Sequence, residues 1–139
     1  PNNTTFIVGD ITNSNIYTNV DYDLYYLDSV LHCLSDIDDR IKLYRNITKS
    51  ILRHNNTKYV YISTLTLSEY YNSQFMSKFE DDIYGNKVST NYERILFDRD
   101  YLRKELSNNN ISVLSYQSVI QFHEEEYMSF DNILAQVKY

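Results

Sequence analysis

The chain has 139 residues and only two glycines, Gly9 and Gly85. Phosphate-cradling loops and nucleophile elbows need several glycines close together, because their backbone takes positive φ or approaches a ligand where a Cβ would intrude. A P-loop, a GxGxxG dinucleotide fingerprint and a GxSxG elbow are thereby excluded. Cysteine is reduced to Cys33, so no intrachain disulfide can form and a reducing compartment is favoured. Cys33 stands among Val30, Leu31 and Leu34, which predicts a buried structural thiol. No apolar run reaches the roughly 18 residues of a membrane span, and no signal peptide is visible. The expected setting is intracellular, cytoplasmic or nuclear.

Long basic runs are missing too. A net charge of −6 argues against nucleic acid as the main partner, since neutralising phosphates needs clustered Lys and Arg. The densest basic stretch, Arg40, Lys42, Arg45, Lys49 and Arg53, recurs at helical spacing beside Asp36, Asp38 and Asp39 and reads as a solvated helix face.

Hydrophobic residues make up 42% and charged residues 23%, close to globular averages, so the chain is expected to fold. Its length suits one core. The expectation is a single α/β domain over residues 1–139, with Pro1 in place of an initiator Met marking a fragment of a longer chain. Tyrosine is abundant, at fifteen residues, while Ala135 is the sole alanine. Tyr, Asn and Ile share AT-rich codons, so this bias points to a low-GC genome, such as that of a large DNA virus, a parasite or a yeast.

Along the chain, Thr5-Phe-Ile-Val8 reads as a buried strand ending at Gly9-Asp10, followed by a polar loop over 11–20. Val30, Leu34, Ile37, Ile41, Tyr44 and Ile51 recur at three, four or seven positions. They predict amphipathic helix from about 22 to 53, either one long helix or two joined near 35, where Ser35 with Asp38 offers a cap. The stretch Lys58–Leu67 alternates and is rich in β-formers, the clearest strand in the chain. A helix is expected from Ser68 through Phe79, then a turn at Tyr84-Gly85-Asn86. Thr90 to Glu93 has the capping-box pattern for a helix ending near Asn108. Ile111, Val113 and Leu114 open a third strand, and Phe130, Ile133, Leu134 and Val137 predict a closing helix capped by Ser129. This order predicts an α/β fold with a mainly parallel sheet flanked by helices in three layers, or, as the alternative, α+β.

In such a sheet the residues after each strand form the ligand rim. Asp10, Glu69 and Glu124 are the carboxylates placed there, and gathered together they would hold Mg²⁺ or Mn²⁺ through oxygen ligands. For Asp10 the alternative is a loop cap made with backbone amides. His123 beside Glu124, Glu125 and Glu126 reads as a solvated acidic turn, because neighbours on a strand point to opposite faces. Tyrosine supplies amphipathic contact area, so Tyr25, Tyr26, Tyr70 and Tyr71 are candidates for a binding patch.

The spacing Asp10-x-Thr12-x-Ser14 resembles the first metal-binding element of von Willebrand A domains, and Phe130-Asp-Asn-Ile-Leu134 is similar to their final helix. That resemblance implies a metal held at the end of the first strand. With no convergent catalytic set, the leading expectation is a non-catalytic protein-interaction or assembly module that acts on a protein partner or by self-association and needs no cofactor. The alternative is a metal-dependent nuclease or phosphohydrolase using Asp10, or a degenerate relative of an enzyme fold.

Overall fold

A computed structural model describes residues 4–13, 17, 22–54 and 57–137. In chain order the elements are β1 (Leu24–Asp28), α1 (Ile37–His54), β2 (Tyr59–Leu65), α2 (Ser73–Met76), β3 (Phe79–Asp81), β4 (Lys87–Ser89) and β5 (Ile95–Leu96). The chain closes with α3 (Arg99–Asn108), β6 (Ile111–His123) and β7 (Glu126–Val137). Four strands form one sheet in the order β1-β2-β7-β6, with β1 parallel to β2 and both other pairs antiparallel. The strands β3, β4 and β5 form a small antiparallel meander of their own.

Alternation builds the large sheet. Tyr25 and Leu27 of β1, Val60 and Ile62 of β2, and Ile133, Ala135 and Val137 of β7 all point to one face and are buried there. Onto that face α1 lays Arg40, Leu43, Tyr44 and Ile47, and α3 lays Leu102, Glu105 and Leu106. Both sets follow the i, i+3, i+4 spacing of a helix stripe. Burying each such aliphatic or aromatic side chain is worth about 1.5–3 kcal/mol, and this face is the main core. A second cluster of Leu65, Tyr71 and Leu96 sits at the carboxyl end of β2 with Phe75, Phe79 and Phe130 against it.

The helix starts are set by carboxylates. The N–H of Asp38 donates to Asp36 at 2.9 Å at the start of α1, and the N–H of Tyr101 donates to Asp98 at 3.0 Å at the start of α3. The C-terminus of α3 is followed by Asn110 at φ 65°, the left-handed conformation that reverses the chain into β6. Between β6 and β7 only Glu124 and Glu125 intervene, at φ 51° and 66°, a two-residue turn with both φ positive. Among the described residues no helix is long and apolar enough to cross a membrane.

The three-layer, mainly parallel sheet is therefore not what forms: α1 and α3 share one face, and only one strand pair in the large sheet is parallel. Thr5–Val8 is exposed and makes no strand. Near its start the expected 22–53 helix is instead β1, because Leu24–Asp28 pairs with β2 and its side chains alternate between exposed and buried. The expected closing helix at Phe130–Val137 is β7. Its apolar residues have helical spacing, but the buried face is the alternating set Ser129, Asp131, Ile133, Ala135 and Val137, and pairing with β2 on one side and β6 on the other decides the contest. The expected helix over 68–79 shrinks to one turn, α2, capped by Asn72. The Thr90 cap is not used either: Ser89 accepts from the N–H groups of Glu93 and Arg94 in a turn, and the helix waits until Arg99.

Candidate functional site

Parallel strands in an open sheet present ligands beyond their carboxyl ends. In the large sheet that edge is the rim of β1 and β2. After Asp28 the chain turns at Ser29, whose φ is 59° and whose N–H still donates to Ser63 O at 2.9 Å, completing the ladder. A single 3₁₀ turn, Leu31–Cys33, then tucks Leu31 and His32 under the strand ends. The N–H of Leu65 donates to His32 Nδ1 at 3.2 Å, so this ring ties the end of β2 to the segment leaving β1. Thr64 Oγ1 lies 3.4 Å from the same nitrogen. Burial, with the Arg94 charge adding to it, pushes the His32 pKa down to about 4. His32 is thus neutral with its acceptor nitrogen committed, a strut rather than a general base. Asp28, Ser29 and Cys33 are left exposed on the rim.

The other side of the rim is closed by a tyrosine. The Tyr71 hydroxyl donates to Thr66 O at 2.7 Å or Ser129 O at 3.1 Å, and it accepts from the N–H of Ser129 at 3.2 Å. Burial raises the Tyr71 hydroxyl to about 12, so it stays protonated and clamps the start of β7 to the end of β2.

A cavity of about 650 Å³ runs between α1 and α3, lined by Ile37, Ile41, Tyr84, Tyr101, Lys104 and Asn108. Glu105 also lines it, yet its carboxylate is fully engaged. Arg40 reaches it through Nε at 3.0 Å and Nη2 at 2.8 Å, Tyr44 OH donates at 2.6 Å and Tyr101 OH at 3.0 Å. Arg40 Nη1 spans to Leu34 O at 2.6 Å and Ser35 O at 3.1 Å. Burial opposes the Arg40 charge, but Glu105 more than offsets this and the guanidinium pKa is raised. This network joins the two helices to the loop after β1. It holds the rim from below.

The residues singled out from sequence lie apart. Asp10 is exposed, and its Oδ1 accepts from Thr12 N at 2.9 Å and Thr12 Oγ1 at 2.8 Å, contacts that hold its pKa below the usual carboxylate value. It caps its own loop. Glu69 lies in the turn after β2, and Glu124 at the tip of the β6–β7 hairpin. Among the described residues no three His, Cys, Asp or Glu side chains gather to hold a metal. Ser14 of the Asp-x-Thr-x-Ser pattern lies outside the described residues, and Phe130–Leu134 is strand, so the layout resembling von Willebrand A domains does not form. Tyr25 and Tyr71 are buried, whereas Tyr26 and Tyr70 are exposed. Cys33, expected inside, is exposed, its thiol donating to Ser29 O at 3.4 Å. The rim residues Asp28, Ser29 and His32 were missed because their strand was read as helix. The signal was the short apolar run Leu24–Leu27, with two tyrosines at its centre, ending at a charge.

No family model and no curated protein matches this chain. Solved structures do. It is similar to a SAM-dependent methyltransferase from Methanosarcina mazei at 10% identity and TM-score 0.61, over 84% of this chain and 59% of that one. It is similar to the 1,6-didemethyltoxoflavin-N1-methyltransferase of Burkholderia thailandensis, solved with 1,6-didemethyltoxoflavin and S-adenosylhomocysteine bound, at 12% and 0.60 over 88% and 48%. A S-adenosylmethionine-dependent methyltransferase from Clostridium acetobutylicum matches at 13% and 0.63, over 96% and 64%. The chain spans about half to two thirds of these proteins. At such identities the likeness establishes the fold, which is methyltransferase-like. The expected non-catalytic interaction module and its nuclease or phosphohydrolase alternative find no support in these comparisons, whose matched structures are methyltransferases.

Proposed function

We propose that the chain is part of a domain of the S-adenosylmethionine-dependent methyltransferase type, and that the carboxyl rim of β1 and β2 is its share of the ligand site. The observation that carries this reading is the fold, matched over 84 to 96% of the chain at TM-scores of 0.60 to 0.63. The rim supports it chemically. S-adenosylmethionine carries an ammonium and ribose hydroxyls, from which the exposed Asp28 carboxylate beside the left-handed turn at Ser29 can accept. These residues fit one side of the ligand.

When bound, S-adenosylmethionine supplies a methyl group on a positively charged sulfur, which needs no further activation. The protein's task is then to orient donor and acceptor and to exclude water. His32 and Tyr71 serve that task by fixing the strand ends, and neither has a proton to exchange near neutral pH. The lone cysteine suits a reducing, intracellular compartment.

Calorimetric titration with S-adenosylhomocysteine tests the reading. Binding that weakens about tenfold in Asp28→Ala, equivalent to roughly 1.4 kcal/mol, is the expected result. A Kd untouched by Asp28→Ala, or no heat and no rise in Tm with the ligand, would overturn it.

A further inference from the structure

A cavity of about 280 Å³ opens between α2, the segment after it and the turn that joins β4 to β5. That is room for a single-ring molecule. Its floor is aromatic: Phe75 and Phe79 stand with ring centroids 5.1 Å apart, and the Tyr71 ring, 5.0 Å from Phe75, anchors the row to the end of β2. Both phenylalanines pack on the cluster of Leu65, Tyr71 and Leu96 and are only half-buried, so apolar surface is left for a ligand ring.

The walls supply donors. Lys78 and Arg94 line the cavity, and among the described residues neither is in an ion pair. Two such cations side by side stand out in a chain of net charge −6. Glu93 is the one carboxylate of the lining and bonds to neither. Ser89 is buried. Its Oγ accepts from the N–H groups of Glu93 and Arg94 at 3.0 and 2.9 Å, while its own proton has no acceptor among the described residues. The N–H of Thr90 donates to Lys78 O at 2.9 Å, which ties the two walls together. An ammonium, a guanidinium and a hydroxyl with no acceptor are complemented by carboxylate or phosphate oxygens.

The cavity also stands next to the rim. The Arg94 charge is felt by His32 beneath the end of β1, and Ser35 Oγ donates to Tyr92 O, which fastens the β4–β5 turn to the segment leaving β1. Resting on the methyltransferase reading, we infer that this cavity receives the methyl acceptor, and that the acceptor is a small aromatic compound carrying a carboxylate or a phosphate. Phe75 and Phe79 hold its ring, and Lys78, Arg94 and Ser89 hold its anionic oxygens. An acceptor fixed there lies beside the rim where the donor binds, the placement that transfer needs. The acceptor's oxygen or nitrogen bonds to the methyl carbon as the carbon–sulfur bond breaks. The bonding pair stays with sulfur, and the acceptor's proton passes to water.

The test is calorimetric titration of the full chain with 4-hydroxybenzoate, phenyl phosphate, neutral 4-hydroxybenzamide and inorganic phosphate. At least one of the two aromatic acids should bind about tenfold more tightly than both the amide and inorganic phosphate. The tighter acid names the anion. Lys78→Gln and Arg94→Gln, both at exposed positions that the fold tolerates, should each weaken that binding about tenfold. Lys49→Gln, an exposed lysine of α1 outside the lining, should leave it unchanged. An amide or inorganic phosphate that binds as tightly as the acids, or an affinity untouched by Lys78→Gln and Arg94→Gln, overturns the inference. Failure of the acids while S-adenosylhomocysteine still binds overturns this inference alone. Failure of S-adenosylhomocysteine while the acids bind overturns the methyl-donor reading and leaves the pocket's chemistry standing.

Discussion

Arg40 and Glu105, 65 positions apart in the chain, meet in the core with Nη2 2.8 Å from Oε1, and each is almost wholly removed from solvent. Two charges buried together are tolerable because further hydrogen bonds support them, to the carboxylate from Tyr44 and Tyr101 and from the guanidinium to Leu34 O and Ser35 O.

Breaking that pair is expected to cost more than replacing it. Glu105→Ala leaves a guanidinium in a dry core and should lower the unfolding free energy by about 3–5 kcal/mol in urea titrations. The double variant Arg40→Met with Glu105→Leu removes both charges and keeps the volume, so it should lose much less. A double variant as unstable as Glu105→Ala would show that shape, not charge, holds the helices.

The pH dependence of stability should carry the mark of His32. Its folded pKa of about 4 lies below the ordinary value of 6.5, so between these limits the unfolded chain binds more protons than the folded one. Stability then rises with pH across this window, is fully present above 6.5 and falls away towards 4. Thermal unfolding from pH 4 to 7 should show this slope in the native protein and a shallower one in His32→Gln. Equal slopes would mean the ring is solvated in the folded state.

The sequence made some of this architecture legible and hid the rest for a physical reason. β2 was plain because Lys58–Leu67 combines alternation with β-branched and aromatic residues, leaving no competing helical period. The turn at Gly85 was equally plain, and its φ of 90° is one that glycine adopts without strain. β1 and β7 were hidden because apolar residues stand on both faces of each strand, Leu24 to Leu27 in β1 and Phe130 and Leu134 beside Ile133 and Val137 in β7, so the alternation shows only in burial and their partners in the sheet resolve the choice. The rim followed the strands: once β1 was read as helix, Asp28 and His32 had no edge to stand on, and Asp10 took their place. The Arg40–Glu105 pair left no local trace at all, since it depends on two distant helices meeting.

The hairpin between β6 and β7 makes its turn with residues poorly suited to it. Glu124 and Glu125 both hold positive φ, where a Cβ costs roughly 1–2 kcal/mol per residue. Replacing them by Asn and Gly, the pair such turns favour, should raise stability by about 1 kcal/mol in denaturant titrations. An unchanged midpoint would place the cost elsewhere.

Arg99 and Asp131 supply the last test, because they fix the start of α3 to the inner face of β7. Arg99 Nε and Nη2 reach the two carboxylate oxygens at 2.7 and 2.9 Å, and Ser118 Oγ adds a third donor at 2.8 Å. Asp131 is 1% exposed, so its charge depends on these contacts, whereas the Arg99 side chain is partly solvated and keeps water when its partner is lost. The two truncations should therefore differ. Arg99→Ala strands a carboxylate in the core with Ser118 alone and should cost about 1.5–3 kcal/mol. Arg99→Lys restores the charge but not the two-pronged geometry, and should recover only part of that. Asp131→Asn keeps the shape, removes the buried charge and should cost less than Arg99→Ala. If the order is reversed, the guanidinium rather than the carboxylate is the group that the fold has to satisfy.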